Sequence, residues 1–190
     1  MGSNPEAMLA LLDAYVPAGD VETADLARLR SVARAGSDLC SRTEPLHVTG
    51  SALVVHPPTR RILLRWHERM QRWLQVGGHF DPGEPDPLAV ARREAEEETG
   101  LHDLVVAPAT GGWPVQVVVV PVAPGGGEPE HEHADVRYVL VTDEPEGATP
   151  ESDGAPLRWL TIDDALAEVH EDNLRVLIAR AAHLLGWRDA

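Results

Sequence analysis

The chain has 190 residues, of which 43% are hydrophobic, and this length fits one globular domain with a sizeable core. The formal net charge of −15 at pH 7 opposes the binding of long nucleic acids, because such binding depends on clustered cations. All of the basic residues are arginine, so the chain cannot form a Schiff base through lysine.

The sequence also bears on location. No apolar run approaches the roughly 18 residues that a membrane span needs, and the acidic N-terminus lacks the basic region of a signal peptide. Cys40 is the single cysteine, which excludes an internal disulfide. We therefore expect a cytoplasmic protein with no membrane partner.

Two helices are predicted ahead of the first strand. Residues 5–16 and 21–35 carry apolar side chains at helical spacing. Each is followed by a residue that ends helices, Pro17 and Gly36 respectively. We expect these helices to form an N-terminal arm over residues 1–46. The arm either packs or dimerises, so a homodimer is possible, or it supplies part of a substrate pocket.

From His47 the hydrophobic period changes to two, which is typical of strands. Strands are predicted over 48–56, 61–66, 73–76, 115–122, 136–142 and 157–160, and the β-branched run at 115–122 is expected to be buried. Helices are predicted over 87–99, 163–169 and 173–185. Residues 47–190 are therefore expected to form an α/β domain in which helices cover a mixed sheet.

The helix over 87–99 carries three carboxylates on neighbouring positions. With Glu94 at 0°, Glu97 lies at about −60° and Glu98 at about +40° on a helical projection. Carboxylates about 4–6 Å apart repel one another, so at least one should have a raised pKa. Mg²⁺ would relieve that repulsion, since it prefers carboxylate and water oxygens.

A glutamate-rich helix is often only a solvated surface, so the flanking residues matter. Glycines precede the helix, Asp86 is a good N-cap and Gly100 a good C-cap. Residues 78–101 together resemble the Nudix box. The matching positions are Gly78, Glu84, Arg93, Glu94, Ala95, Glu97, Glu98, Gly100 and Leu101. The chain departs from the box in two places: eight residues instead of seven separate Glu84 from Arg93, and Val76 stands where many relatives have proline.

The resemblance implies a Nudix α/β/α sandwich and a function. It implies hydrolysis of a nucleoside diphosphate linked to another moiety, with Mg²⁺ or Mn²⁺ and more than one ion. By the same resemblance, Glu97 and Glu98 are metal ligands, and Glu94 is a ligand or the general base. The Gly77 carbonyl would be a further ligand and Gly78 would support the loop. Arg93 would orient the carboxylates, and Glu84 would pair with Arg93 or with a metal-bound water.

Other residues are candidates for substrate contact. Arg137 could meet a phosphate and Asp135 could line the same cleft, while Trp113 could stack on a base. His131 and His133 with Asp135 fit either a zinc pair or one face of a strand with His131 in the loop before it, and we favour the strand face. A further acidic ligand could come from Glu132, Asp135, Glu144 or Glu151.

Two other functions fit a Nudix fold. One is an isomerase of the isopentenyl-diphosphate type, but its chemistry needs a cysteine in the core domain, and Cys40 precedes the first strand. The other is a ligand-binding regulator that does not hydrolyse its ligand. The complete set of box residues argues against such a loss of activity.

The charge generates the first prediction. At physiological salt we expect no submicromolar binding of a DNA or RNA strand of about 20 nucleotides, because the chain lacks the cations that phosphates require. Fluorescence anisotropy with a labelled strand measures this directly. A submicromolar complex that forms without metal would contradict the expectation.

Overall fold

The computed structural model describes residues 5–125, 127 and 129–188. Its helices are α1 (Pro5–Ala14), α2 (Asp20–Arg34), α3 (Pro87–Thr99), α4 (Ile162–Glu168) and α5 (Asp172–Leu184). Its strands are β1 (Leu46–His56), β2 (Arg61–His67), β3 (Arg72–Leu74), β4 (Val76–His79), β5 (Val105–Val106), β6 (Gln116–Val122), β7 (His131–Val141) and β8 (Leu157–Thr161).

The sheet is organised around β1 and β7, which run parallel over ten residue pairs from Leu46↔Glu132 to Val55↔Val141. All other pairings are antiparallel, so the eight-stranded sheet is mixed. The edge of β1 that faces away from β7 pairs with β4 at Thr49–Ala52 and with β2 at Val54–His56. Because β4 pairs with the middle of this central strand, its glycines Gly77 and Gly78 lie within the sheet, where they are half-buried.

Helices cover both faces of the sheet. Alternate residues of β1, including Val48 and Ala52, pack with apolar residues of α1, α2 and α3. The residues between them, including Leu53 and Val55, pack with α4 and α5. All eleven residues of β1 are buried, which explains why its sequence alternates less clearly than that of a half-exposed strand. The expected α/β/α sandwich is confirmed.

The N-terminal helices pack directly on this sheet. Glu22 of α2 accepts a hydrogen bond from the Val117 amide at 2.9 Å, and Asp25 accepts one from the Val119 amide at 2.9 Å. Both amides belong to β6, whose other edge pairs with β7. The carboxylates of α2 thus accept hydrogen bonds from backbone amides on this edge of β6, which would otherwise be open to pairing with a strand of another chain. Dimerisation and a separate boundary at residue 46 stay predictions.

Most predicted elements match in position, with a few corrections. β7 begins at His131 rather than 136, so His131 lies in the strand and not in the loop before it. The strand expected over 73–76 is two strands, and β5 was not predicted. The β6 run is only partly buried, because Val119 and Val120 are half-buried and Pro121 is exposed. None of the helices in the described part of the chain has the length and apolarity to cross a membrane.

Glu22 yields a prediction about stability. The residue is 5% exposed, and its carboxylate also pairs with Arg180 at 2.9 Å. Glu22→Gln leaves that guanidinium without its anion, so we expect the free energy of unfolding to fall by about 2–4 kcal/mol in urea titrations. Asp20→Asn is the matched control, because Asp20 begins the same helix but is exposed. Equal stability of the two variants would contradict this role for Glu22.

Candidate active site

The site is formed where α3 lies on β1 and β4 with almost no side chain between them. A Cβ atom on Gly50 would lie 2.9 Å from the Ala91 amide nitrogen, and one on Gly78 would lie 2.8 Å from Glu94 Oε2. Both distances are too short for real contacts. At Gly50 the contact is with rigid helix backbone, so glycine is what lets the helix approach this closely, whereas at Gly78 it is with the end of the Glu94 side chain. The close approach presses the carboxylate of Glu94 against the backbone of β4.

The ends of α3 are fixed as the sequence predicted. The Asp86 side chain accepts a hydrogen bond from the Ala89 amide at 2.9 Å, and Gly100 adopts the left-handed conformation with φ 68°. Ala91, Ala95 and Thr99 are buried. The helix therefore packs on its small residues and turns its carboxylates towards the glycine loop.

Arg93 links the loop to the helix. Its guanidinium donates to Glu84 at 2.8 Å, Glu94 at 3.0 Å and Glu97 at 2.9 Å, and to the His79 carbonyl at 2.8 Å. The hydrogen bond with Glu84, followed by the nearby glutamate charges, raises the pKa of Arg93, so it stays cationic. The extra residue between Glu84 and Arg93 therefore does not prevent their pairing.

Glu98 is the most deeply placed carboxylate of the three. Its side chain is 12% exposed and lies 3.2 Å from the Arg65 guanidinium, and it accepts a hydrogen bond from the Gly77 amide at 3.1 Å. Arg65 also bonds Glu151 at 3.0 Å. Of the four candidates for a further acidic ligand, Glu151 is thus joined to the box through a shared arginine.

The loop that carries Glu151 is held against the end of α3. The Thr149 amide donates to the Thr99 carbonyl at 2.7 Å. Glu132, in contrast, pairs with Arg28 of the arm. The sequence missed Arg65, whose place on a short strand gives no sign that it turns towards the box.

Burial leaves two of these carboxylates difficult to ionise. Burial raises the pKa of Glu98 to about 7, with smaller contributions from the charges of Glu94 and Glu151, while Arg65 and the Gly77 amide oppose the rise. Burial also raises the pKa of Glu94 against the opposing effect of Arg93. The sequence predicted at least one raised pKa from repulsion between the carboxylates; both pKa values are raised, but burial rather than repulsion is the main cause.

These residues fit a hard divalent cation. Two partly buried carboxylates face the same glycine loop, and the pKa of each is raised by burial despite the nearby arginines. Carboxylate oxygens are the donors that Mg²⁺ and Mn²⁺ prefer. Glu97 lies on the outer side, with 55% of its side chain exposed. The ligand roles of Glu94, Glu97, Glu98 and the Gly77 carbonyl all stay predictions.

On the opposite face of the sheet lies a buried polar group centred on Asp135. Its carboxylate accepts from Thr49 at 3.0 Å, Ser51 at 2.7 Å, Gln75 at 3.1 Å and Arg137 at 2.7 Å. The strand register places Ser51 beside Gly77. This network therefore supports the strand that carries the glycine loop from behind.

Arg137 and Asp135 are occupied by protein contacts in this arrangement. The Arg137 guanidinium also donates to Gln116 at 2.9 Å and to Asn173 at 2.8 Å, and the residue is 3% exposed. Trp113 is 49% exposed and precedes β6, which β7 and β1 separate from β4. Substrate contact by these three residues stays a prediction.

The chain matches the family model described as the NUDIX domain over residues 45–181. Solved structures with the same fold include a C. elegans Ap4A hydrolase, with 17% identity, a TM-score of 0.56 and coverage of 73% of this chain and 97% of the other. A NUDIX-family hydrolase from Clostridium perfringens has 24% identity, a TM-score of 0.52 and coverage of 74% and 96%.

The E. coli dihydroneopterin triphosphate pyrophosphohydrolase has 17% identity, a TM-score of 0.55 and coverage of 72% and 94%. No curated protein matches the sequence. The match to the domain covers most of the chain, so the chain belongs to the Nudix family. With its box residues Arg93, Glu94, Glu97 and Glu98 all present, it is an enzyme of the Nudix pyrophosphohydrolase class.

The raised pKa of Glu98 generates a prediction about metal-free stability. The folded-state pKa of about 7 exceeds the ordinary value of 4.5, so the folded protein binds more protons between these values and loses stability as the pH rises through them. The loss is at most about 3 kcal/mol. In Glu98→Gln the group cannot ionise, so above pH 7 the variant should melt several degrees higher than wild type, with little difference near pH 4.5.

The measurement is thermal unfolding followed by circular dichroism in the presence of EDTA. Glu96→Gln serves as the control, since Glu96 is half-buried on the same helix and projects away from the glycine loop. A Glu98→Gln variant that melts well below wild type at high pH would show that Glu98 stabilises the fold, which would contradict a carboxylate held for metal binding.

Proposed function

We propose that this protein is a Mg²⁺- or Mn²⁺-dependent enzyme that hydrolyses the pyrophosphate bond of a nucleoside diphosphate linked to another moiety. The observation that carries the proposal is the placement of Glu94 and Glu98, which are partly buried against Gly77 and Gly78 with raised pKa values. A cation would stabilise both carboxylates in their ionised form and would also neutralise a bound diphosphate. The site thus matches a metal-bound diphosphate better than a solvated helix surface.

Some residues of the site would bind the cations, and others position the residues that do. Glu98, Glu94 and Glu97 would hold the cations, with the Gly77 carbonyl as a further donor. When bound, the ions would neutralise the diphosphate and make the attacking water more acidic. Arg93 fixes the direction of Glu94 and Glu97 through its hydrogen bonds. Glu94 is the candidate general base, because its raised pKa favours proton uptake.

The charge of the chain fits a small substrate rather than a polymer. With a net charge of −15, the protein repels phosphates except where bound cations reverse the local field. The names of the similar structures suggest two substrate types to test first, a dinucleoside polyphosphate and a pterin triphosphate. The isomerase alternative is weakened further, because Cys40 lies in the turn before β1, beside Met8 and Leu39.

The test is a substrate panel with phosphate release as the readout. The panel contains dinucleoside polyphosphates, nucleotide sugars, ADP-ribose, NADH, dihydroneopterin triphosphate, nucleoside triphosphates and an isoprenyl diphosphate. We expect hydrolysis of at least one compound that requires Mg²⁺ or Mn²⁺. Glu98→Gln and Glu97→Gln should each lower kcat by roughly 10²-fold, which corresponds to about 2.7 kcal/mol of barrier.

Glu96→Gln is again the matched control and should retain wild-type kcat, because Glu96 lies on the opposite side of α3. Full activity in EDTA, or in Glu98→Gln, would refute the metal-dependent assignment. Metal-dependent binding of a panel compound without any cleavage would instead favour the regulator alternative.

A further inference from the structure

Four histidines converge at the end of the sheet next to the glycine loop. His47 comes from β1, His79 from β4, and His131 and His133 from β7. The strand register pairs His47 with His133. The centroid of the His133 ring lies 4.7 Å from that of His79, 5.0 Å from that of His47 and 4.9 Å from that of His131. One ligand atom each from His47, His79 and His133 lie within 4.8 Å of one another.

Two neighbouring ring nitrogens lie within hydrogen-bond distance of the same nitrogen of His133, and ordinary hydrogen bonds cannot satisfy both contacts. Its Nε2 atom lies 3.0 Å from His79 Nε2 and 3.1 Å from His131 Nε2. A ring nitrogen carries either one proton or one in-plane lone pair. It can therefore form a good hydrogen bond with one of these two neighbours but not with both. A cation between the rings would attract all of the nitrogens at once.

The other ring nitrogens are arranged as in metal-binding histidines. His47 Nδ1 lies 2.8 Å from the Glu44 carbonyl, and His131 Nδ1 lies 2.8 Å from the Pro129 carbonyl. A carbonyl oxygen only accepts, so both Nδ1 atoms carry the proton. In the neutral ring this leaves Nε2 unprotonated, with a lone pair of the kind that binds a metal, and such backbone contacts are the usual support of metal-ligating histidines.

From this geometry we propose that His47, His79 and His133 form a second metal site, distinct from the carboxylates of the box, that binds Zn²⁺. His131 lies next to this set, with its Nε2 atom 3.1 Å from His133 Nε2. The chemistry of the donors selects the ion: imidazoles suit Zn²⁺, while Mg²⁺ prefers oxygen. The short nitrogen separations are close to the roughly 3.3 Å expected for two ligands on a tetrahedral ion with Zn–N distances of about 2.0–2.1 Å.

The site would tie three strands together. His79 ends β4, directly after Gly77 and Gly78, and its carbonyl accepts from Arg93. A bound ion would therefore hold the strand that carries the glycine loop to β1 and β7. Sequence reasoning considered zinc only for His131 and His133 with Asp135 and favoured a plain strand face. It missed this set, because His47 and His79 are remote from His133 in the chain and no local spacing connects them.

The experiment is calorimetric titration of Zn²⁺ into tag-free, chelator-treated protein in the presence of excess Mg²⁺, which occupies the box. We expect one Zn²⁺ per chain. His133→Gln and His79→Gln should each weaken Zn²⁺ binding by at least about 10-fold. His183→Gln, in an exposed position on α5, and Glu98→Gln should not. Visible absorption of the Co²⁺ form should show the stronger bands of a four- or five-coordinate ion and lose them in His133→Gln.

The two histidine variants and the Co²⁺ spectrum of wild type keep the test decisive if one variant fails to fold, which circular dichroism reports. Binding that is lost in Glu98→Gln and kept in the histidine variants would overturn the proposal, because Zn²⁺ would then be using the box. Absence of Zn²⁺ binding to wild type would also overturn it. Neither result depends on whether the protein hydrolyses any substrate.

Discussion

The close approach of α3 to the sheet is the constraint on which the rest of the site depends. Gly50 lacks the Cβ atom that would collide with the helix backbone, Gly78 leaves room for the end of the Glu94 side chain, and Ala91 and Ala95 on the facing side are small enough to be buried there. Because the helix lies this close, Glu94 and Glu98 meet the backbone of β4 instead of solvent. Their partial burial follows from packing, and their raised pKa values follow from burial.

Burying Glu94 and Glu98 makes their ionised forms less stable, and the neighbouring arginines offset only part of that cost. Arg93 forms ion pairs with Glu84, Glu94 and Glu97. Arg65 forms ion pairs with Glu98 and Glu151. Functional sites often reduce stability in this way. Stability is recovered elsewhere, in the two packed cores and in the polar network around Asp135. Bound cations would remove the remaining repulsion, which links metal binding to both stability and activity.

The sequence predicted the local features well and the remote contacts poorly. The bounds of α3, its Asp86 cap and its Gly100 end follow from rules that act within a few residues, and all were confirmed. The sequence also predicted the box residues, since their spacing is itself the signal. It could not predict that Arg65 meets Glu98, that Glu22 satisfies the edge of β6, or that His47 and His79 meet His133. Those contacts depend on the order of strands in the sheet, which periodicity does not encode.

The most direct test of the central claim is the affinity for Mn²⁺ of a Gly78→Ala variant, measured from the paramagnetic resonance of free Mn²⁺. A methyl group at this position would collide with the mobile end of the Glu94 side chain rather than with rigid backbone. We therefore expect a protein that folds and melts close to wild type but binds Mn²⁺ at least about 10-fold more weakly, a loss of about 1.4 kcal/mol. A Gly78→Ala variant with unchanged Mn²⁺ affinity would contradict the claim that the contact between the glycine loop and α3 positions the metal-binding carboxylates.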